Sequence, residues 1–400
     1  MAAFFHHLAY KFISFFVSIA MLLGIPCTLL QVDQSNWQTN YKYVFVHGLS
    51  GWGSYDAVYK LMPYWGMFGG DLMGYLNDRG FEAYAASVAG NTGAWDRACE
   101  LYAQLTGTVV DYGEAHSKRC NHARYGEDFT GRALIDAFDS ENKINLLGHS
   151  FGGATVRLFA SLMETGCEEE RNTTTDGTLS PFFEGGKGDY IHSLVSLAAP
   201  HNGTTAYNIG EKPEAAEPTA QEAEQLAEKR GVLDSMMDSV LGQVVDERIA
   251  EDYAAYDMYI DNALALNETI VTLPNTYYFS IACCATEQQE DGTWAPTDKV
   301  EFIYRDSSVA MGKYTGATKG GFVIDESWQM NDGLVNTLSA KAPFGAPQKD
   351  YEEGNVQTGI WNIMPVMEGD HMALQGGLLK TGDIKDLYVD LLSMINSLEG

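Results

Sequence analysis

The hexapeptide Gly148-His149-Ser150-Phe151-Gly152-Gly153 contains the pattern G-x-S-x-G, which is typical of a nucleophilic serine. An apolar, strand-like run at residues 144–147 precedes it, and a helical pattern at residues 154–163 follows it. A serine on such a tight strand-to-helix turn projects its hydroxyl into a cleft, and the glycines leave room for the turn. The motif therefore predicts that Ser150 is a catalytic nucleophile.

A serine hydroxyl attacks readily only when a base takes its proton, and histidine is the usual base. In enzymes built around this turn, an acid and then the histidine follow the serine along the chain. Three of the nine histidines come after Ser150, namely His192, His201 and His371. His192 lies in a predicted strand and His201 follows it closely, which leaves too little chain for another strand carrying the acid. His371 is therefore the expected base.

The reaction also needs an acid that orients the base and two amides that stabilise an oxyanion. Asp332 lies in a turn before an apolar segment, and Asp325 follows a short apolar run, so spacing barely separates these two candidates for the acid. The amides of Phe151, just after the nucleophile, and of Leu49, just after an early strand, are the expected oxyanion donors.

Strand-like and helical segments alternate along the chain. Residues 43–46, 144–147, 191–198 and 277–282 read as buried strands, which predicts an α/β fold with a mostly parallel central sheet and helices on both faces. Two segments interrupt this alternation. Residues 91–132, rich in His, Tyr, Arg and Gly, look like an insertion. Residues 210–267 carry apolar pairs at helical spacing over 232–245, which indicates either a movable cover for the site or a helix packed on the sheet.

Composition and the N-terminus limit the classes of function. The 400 residues are 45% hydrophobic and carry a net charge of −29, which fits a globular protein and disfavours nucleic acid as a partner. Residues 12–30 lack charged side chains and follow Lys11, so residues 1–30 are expected to be a secretory signal or, alternatively, an uncleaved membrane anchor. Residues 31–400 then form a single catalytic domain. The five cysteines beyond residue 30 allow at most two disulfides, and no CxxC pair suggests a thiolate metal site.

Eight sequence blocks together resemble the secreted thermoalkalophilic lipases of Bacillus and Geobacillus and the staphylococcal lipases. They are HGLSGWG at 47–53, YWG at 64–66, WDRACE at 95–100, VDYG at 110–113, HARYG at 122–126, LSPFFEGG at 179–186, NTYY at 275–278 and NDGLVNT at 331–337. The resemblance implies an α/β-hydrolase fold with a two-helix lid, and hydrolysis of triacylglycerol esters. It also implies that Asp332, rather than Asp325, is the acid that acts with Ser150 and His371.

The same resemblance gives a role to the histidines of the insertion. Asp96, His116 and His122 match the positions at which those lipases bind a structural zinc ion, and imidazoles with carboxylates suit tetrahedral zinc. The fourth ligand implied by the resemblance is an aspartate in the lid region. Asp238 is the expected residue, with Asp234 as the alternative.

Calcium is where this chain departs from the family that it resembles. Those lipases hold calcium with an acidic residue two positions after the catalytic histidine and with another a few residues later. Here residues 372–377 contain no carboxylate, and calcium requires several hard oxygen ligands. The calcium site is therefore expected to be absent, which leaves the His371 loop to be held by protein contacts.

The expected function is that of a secreted lipase acting on ester substrates at an oil-water interface through an acyl-enzyme. A carboxylesterase for shorter, soluble esters would use the same three residues, and a phospholipase or acyltransferase would use the same scaffold. A non-catalytic binding protein would be expected to lack one of the three. The long amphipathic cover favours the lipase.

Overall fold

Strands and helices alternate along residues 32–209, 249–377 and 384–400, which a computed structural model describes. The strands are β1 Lys42–Val46, β2 Ala83–Ala86, β3 Val109–Asp111, β4 Tyr125–Asp128, β5 Ile144–His149, β6 Ile191–Leu197, β7 Tyr277–Ile281, β8 Cys283–Cys284, β9 Thr286–Gln288, β10 Trp294–Pro296, β11 Gly316–Ala317, β12 Val323–Ile324, β13 Gln348–Asp350, β14 Trp361–Ile363 and β15 Met367–Glu368. The α-helices are α1 Leu72–Asn77, α2 Ala94–Thr106, α3 Glu114–Cys120, α4 Phe151–Thr165, α5 Glu168–Thr173, α6 Thr205–Asn208, α7 Ala254–Met258, α8 Ile260–Thr269, α9 Arg305–Met311, α10 Thr337–Lys341 and α11 Lys385–Asn396. Short 3-10 turns occur at Ala57–Lys60, Met67–Gly69, Pro181–Glu184, Gly188–Tyr190, Ala250–Asp252, Phe302–Tyr304 and Glu326–Trp328.

A seven-stranded sheet in the order β13-β14-β7-β6-β5-β1-β2 forms the centre of the fold, and all its neighbouring strands are parallel. The four strands predicted from the sequence are present as β1, β5, β6 and β7, so the predicted parallel α/β architecture is confirmed. Strand β1 pairs with β2 on one side and with β5 on the other. Open α/β sheets bind ligands at the carboxyl ends of their strands where the strand order reverses, which here lies between β1 and β5.

Helices cover both faces of this sheet, as the sequence predicts. On β1, Val44 and Val46 belong to a core that includes α2 and α4, whereas Tyr43 and Phe45 belong to a second core that includes α1 and α11. Alternate side chains of a strand point to opposite faces, and these four are fully buried. Burial on both faces is typical of parallel sheets and explains the continuous apolar runs of the central strands.

The predicted insertion at residues 91–132 contains α2, α3 and the antiparallel pair β3 and β4. It is attached to the segment around residue 252 by backbone hydrogen bonds, since the amide of Gly93 donates to the carbonyl of Asp252 at 2.8 Å and the amide of Ala254 donates to that of Asn91 at 2.9 Å. The end of the predicted lid region is thereby held against the start of α2.

Two predictions from the sequence fall largely outside the described residues. The leader at residues 1–30 does so completely, and the lid region does so over residues 210–248, which include the apolar pairs at 232–245. Within the described part of the chain, no helix combines the length and the apolar character needed to cross a membrane. The five cysteines beyond residue 30 are free thiols, so none of the disulfides that the count allowed is formed.

Candidate active site

The turn between β5 and α4 presents Ser150 at the carboxyl end of the sheet. The backbone of Ser150 has a φ of 55° and a ψ of −129°, a conformation that residues other than glycine rarely adopt. A β-carbon on Gly148 would lie 2.4 Å from the carbonyl oxygen of Gly152, and one on Gly152 would lie 2.3 Å from that of Val46. The glycines of the motif are therefore needed for the close approach of α4 to β1 and β5.

Ser150, His371 and Asp332 form one buried hydrogen-bonded array. The Oγ of Ser150 lies 2.7 Å from Nε2 of His371, and Nδ1 of His371 lies 2.9 Å from Oδ2 of Asp332. The other carboxylate oxygen of Asp332 accepts from the amides of Leu334 and Val335 at 3.0 and 2.7 Å. Because its second oxygen is fixed in this way, Asp332 presents the first to the imidazole in one orientation.

The structure separates the two carboxylates between which spacing alone could not decide. Asp332 is fully buried, and its carbonyl also accepts from the backbone amide of His371 at 2.8 Å. Asp325 is exposed, and its carboxylate caps a 3-10 turn through the amide and hydroxyl of Ser327. Only the first of these carboxylates contacts the imidazole of His371.

The two expected oxyanion amides lie on segments that leave neighbouring strands. Phe151 opens α4, where the first N–H groups of a helix have no acceptor within the helix. Leu49 lies in the loop after β1, which we call the oxyanion loop and define as residues 47–50. This loop packs closely against Ser150, since a β-carbon on Gly48 would lie 2.7 Å from Cβ of Ser150.

Arg97 on α2 is a buried cation that the sequence analysis missed. Its guanidinium donates to the carbonyls of His47 and Gly48 in the oxyanion loop and, through Nε at 2.9 Å, to the hydroxyl of Thr155. It also lies 5.1 Å from the ring centre of Phe151. Burial lowers the pKa of Arg97 to about 10, so it stays charged at neutral pH. Helix α2 therefore holds both oxyanion segments through one side chain.

A second cluster of polar side chains lies where the insertion meets the segment around residue 252. Nε2 of His116 is 3.1 Å from Oδ1 of Asp96 and 3.3 Å from Oδ1 of Asp252. Nε2 of His122 is 3.8 Å from Oδ1 of Asp96 and 3.4 Å from Oδ2 of Asp252. The structure thus brings together the three predicted metal ligands and adds Asp252, which the sequence analysis missed. This donor cluster, Asp96, His116, His122 and Asp252, is a possible metal-binding site.

The geometry and chemistry of the donor cluster fit a small tetrahedral cation. Ligand atoms about 2.0–2.1 Å from a tetrahedral metal lie roughly 3.3 Å from one another. The four distances between imidazole nitrogens and carboxylate oxygens in the cluster are 3.1, 3.3, 3.8 and 3.4 Å. Nδ1 of His122 lies 2.8 Å from the carbonyl of Ala123, to which it can donate, so the lone pair of Nε2 faces the cluster. That Nε2 is buried and has no hydrogen-bond partner. The sulfur of Cys120 lies 3.7 Å from the other ring nitrogen of His116, Nδ1. His116, Cys120, His122 and Asp252 each offer a ligand atom within 4.8 Å of one another, so Cys120 is a further possible ligand.

The expected fourth ligand, Asp238, and its alternative, Asp234, lie outside the described residues, so both stay predictions. Among the described residues, Asp252 is the aspartate of the lid region that lies beside His116 and His122. All three aspartates lie within residues 210–267, and their spacing did not favour one of them over the others. The backbone hydrogen bonds that attach residues 252–254 to the insertion point to Asp252, but they are visible only in the fold.

Comparisons with known proteins agree with this architecture. The family described as "Lipase-like, C-terminal domain" matches residues 39–230 and 224–388. A lipase from Staphylococcus hyicus is 30% identical over 376 residues, which are 89% of this chain and 56% of that protein. The chain spans about half the length of the curated relatives it matches.

Solved structures agree as well. EstA from Clostridium botulinum has 32% identity and a TM-score of 0.78, with 91% of this chain and 88% of that chain covered. Lipase 1 from Pelosinus fermentans has 30% identity and a TM-score of 0.73, with 90% of this chain and 100% of that chain covered. The similarity thus extends over nearly the whole of both solved chains.

Proposed function

We propose the following function for this chain, which belongs to the lipase-like, C-terminal domain family: it hydrolyses carboxylic esters of lipids through an acyl-enzyme formed on Ser150. The observation that supports this most strongly is the buried array in which His371 contacts Ser150 at 2.7 Å and Asp332 at 2.9 Å. A serine, a histidine and a carboxylate at these distances are the groups that acyl transfer requires.

The reaction runs in two steps. Nε2 of His371 takes the proton from Ser150 as Oγ bonds to the ester carbonyl carbon, and the amides of Leu49 and Phe151 donate to the resulting oxyanion. The imidazolium then gives its proton to the leaving alcohol as the carbon-oxygen bond breaks. Water repeats the sequence against the acyl-enzyme and releases the carboxylic acid. Asp332 keeps the imidazole in the correct tautomer and stabilises its charged form.

Triacylglycerol is the substrate class that we assign to this chain. The relatives named lipase support it, and so does the burial of all three catalytic side chains. A buried serine is accessible to a large substrate only if something above it moves, which fits a cover that opens at a lipid surface. The lid expected within residues 210–267 is the segment that we assign to this movement.

Zinc is the cation that we assign to the donor cluster. Two imidazoles and two carboxylates would supply all four tetrahedral positions, leaving none for a reacting water, so the ion would act as a structural cross-link. Asp96, His116 and His122 belong to the insertion, and Asp252 belongs to the part of the lid region that the structure describes, residues 249–267. The role of these four side chains is to join the two segments. Calcium has no assigned site, because residues 372–377 carry no carboxylate.

Secretion follows the same reasoning. The uncharged run at residues 12–30 after Lys11 is typical of an export signal, and an exported enzyme would meet lipid outside the cell. Mass spectrometry of the protein recovered from culture medium would give its N-terminus. A mature chain that begins near residue 31 supports cleavage, whereas an intact leader in the membrane fraction supports the anchor.

The decisive experiment for substrate class is a series of initial rates on p-nitrophenyl esters of increasing chain length and on a triacylglycerol. Each substrate is tested below its solubility limit and above it, where an interface forms. A lipase shows a rise in rate when the interface forms. A carboxylesterase hydrolyses the short esters and shows no such rise. The matched control is Ser150→Ala, which should lose turnover on every ester. Equal turnover by that variant and the wild type would overturn the proposal.

A further inference from the structure

Two buried side chains behind the catalytic array connect the oxyanion loop to the loop that carries His371. The hydroxyl of Tyr64 lies 3.1 Å from the amide nitrogen of Gly48 and 2.7 Å from Nδ1 of His149. Nε2 of His149 lies 2.9 Å from the carbonyl oxygen of His371. We call this chain of three hydrogen bonds the Tyr64–His149 bridge. None of its side-chain atoms takes part in the proposed reaction.

The direction of each hydrogen bond in the bridge is determined by chemistry. The amide of Gly48 can only donate, so the hydroxyl oxygen of Tyr64 accepts. That hydroxyl then gives its own proton to Nδ1 of His149. Nε2 of His149 carries the remaining ring proton and donates to the carbonyl of His371, which can only accept. The bridge is complete only when His149 is the neutral Nε2–H tautomer.

The surroundings favour this neutral form. His149 and Tyr64 are both buried, and burial lowers the pKa of His149 to about 3. Buried polar groups are costly unless they are hydrogen-bonded, so each of the three contacts would leave a buried group unsatisfied if it broke.

Tyr64 is also attached to the loop that follows His371. The side-chain amide of Gln375 donates to the carbonyl of Tyr64, and the amide of Gly66 donates to the carbonyl of Gln375 at 2.8 Å. The bridge is therefore one part of a continuous connection between residues 47–50, 64–66 and 371–375. Residues 372–377 carry no carboxylate that could bind calcium, so protein contacts of this kind have to hold the His371 loop.

We infer that Tyr64 and His149 are positioning residues that fix the oxyanion loop relative to the base. This inference rests on the proposed function, in which His371 is the base and the loop that contains Gly48 supplies an amide to the oxyanion of the same ester. The base must reach the serine and the leaving oxygen while the amide of Leu49 reaches the oxyanion. A displacement of about 1 Å between such groups costs on the order of 100-fold in rate. The bridge limits that displacement without touching the substrate.

The first test removes one hydroxyl. Tyr64→Phe should lower kcat on p-nitrophenyl butyrate by about 10- to 100-fold while KM changes by less than about 3-fold, since substrate contacts are retained. The matched control is Tyr43→Phe, since Tyr43 lies at the start of β1, away from the oxyanion loop that follows the end of this strand. The Tyr43 hydroxyl is equally buried and contacts the carbonyl of Leu392 at 2.9 Å and Oδ1 of Asn396 at 2.6 Å. Tyr43→Phe should lower Tm but leave kcat within about 2-fold of wild type.

Substitutions of His149 separate the two halves of the bridge. His149→Gln can keep a donor near the position of Nε2, whereas His149→Asn can keep only an acceptor near that of Nδ1. We expect kcat to decrease in the order wild type, His149→Gln, His149→Asn. Combining Tyr64→Phe with His149→Asn should cost less than the product of the two single losses, because both variants break the same chain of contacts.

Three results would overturn the inference. They are a kcat of Tyr64→Phe equal to wild type, an equal loss of kcat in Tyr43→Phe at matched Tm, and full activity of His149→Asn. Nitrogen-15 spectra of the histidine rings give a readout that does not depend on activity. They should show His149 as the Nε2–H tautomer in the wild type and a shifted Nδ1 resonance in Tyr64→Phe. If the wild type hydrolyses no ester, the proposed function fails, and the spectra still decide whether the bridge exists. An Nδ1–H tautomer of His149 would rule it out.

Discussion

The array of Ser150, His371 and Asp332 and the donor cluster are both buried sets of polar side chains that include histidine and aspartate, but they differ in how their polar atoms are satisfied. In the array, both ring nitrogens of His371 have partners, and both oxygens of Asp332 accept hydrogen bonds. In the donor cluster, two carboxylates face two imidazoles, and Nε2 of His122 has no hydrogen-bond partner. The array is complete with protein groups alone, whereas the donor cluster has the form of a site that a cation completes.

The difference extends to the elements that carry the side chains. Ser150 follows β5 and Leu49 follows β1, so two adjacent parallel strands set the distance between the proposed nucleophile and the proposed oxyanion donor. The donor cluster instead joins the insertion to a segment more than a hundred residues further along the chain. Residues at strand ends are positioned by the hydrogen bonds of the sheet. The junction between the insertion and the segment around residue 252 instead depends on the cation proposed to bind side chains from both. We therefore expect mutations in the array to affect rate and mutations in the donor cluster to affect stability.

The largest predicted effect separates the two candidate acids. Asp332→Asn should lower kcat on the order of 10⁴-fold, because the amide stabilises the wrong imidazole tautomer and cannot stabilise the imidazolium. Asp325→Asn changes only an exposed cap, whose amide oxygen can still accept from Ser327, and should leave kcat unchanged. Steady-state kinetics on one soluble ester would measure both. A large loss in Asp325→Asn with normal turnover in Asp332→Asn would mean that the array is not the reacting one.

Metal removal should affect the donor cluster and, through it, the stability of the fold. Free zinc at a thousand times its Kd would stabilise the fold by about 4 kcal/mol, so a chelator should lower Tm and added zinc should restore it. Calcium in place of zinc should not restore it. At low temperature, the chelated protein should retain its rate on a soluble ester, because none of the three residues proposed to react belongs to the donor cluster.

Scanning calorimetry of His122→Ala provides the control for metal removal. This variant should show no response of Tm to chelator or zinc. Wild-type protein that contains no zinc by elemental analysis and shows no shift in Tm on chelation would contradict the structural role.

The identity of the fourth ligand gives a prediction of somewhat smaller size. Replacing a ligand should weaken zinc binding by at least about 100-fold, the upper range for residues that merely support ligands. We expect this of Asp252→Asn and not of Asp238→Asn. Competition titrations with a zinc indicator dye would measure both affinities. If Asp238→Asn alone weakens binding, the assignment of Asp252 is wrong.

A half-buried glutamate on α2, Glu100, links stability to pH. Burial raises the pKa of Glu100 from its ordinary value of 4.5 to about 7, although the amide of Ala89 donates to it at 2.6 Å and the hydroxyl of Tyr112 at 2.9 Å. The unfolded chain therefore loses this proton at lower pH than the folded chain. The contribution of neutral Glu100 to the free energy of unfolding is complete below pH 4.5. It decreases by on the order of 3 kcal/mol as the pH rises to 7.

Glu100→Gln tests this linkage. Since glutamine stays neutral, the free energy of unfolding of this variant should fall less than that of wild type between pH 4.5 and 7. Urea titrations at several pH values would measure it, with the exposed Glu290→Gln as the matched control. Parallel pH profiles for the wild type and Glu100→Gln would show that Glu100 ionises equally in both states.

The parts of this molecule that could be predicted from sequence are those with local signals. The apolar runs of β1, β5, β6 and β7 and the glycine-rich turn at Ser150 needed only neighbouring residues. Strand β2 escaped prediction because Ala83–Ala86 is rich in alanine, which has low strand propensity. Asp252 and Arg97 escaped because their roles depend on packing between distant segments. Arg97 in particular reads as a surface residue until α2 is placed beside the oxyanion loop.

The most direct test of the account is covalent labelling with a fluorophosphonate ester, followed by intact-mass measurement and peptide mapping. The account predicts one adduct per chain, located on Ser150. It also predicts that labelling slows by orders of magnitude in His371→Ala and continues at the wild-type rate at low temperature in His122→Ala. An unlabelled wild-type protein, or an adduct on another residue that forms equally well in His371→Ala, would contradict the claim that Ser150 is the nucleophile of this site.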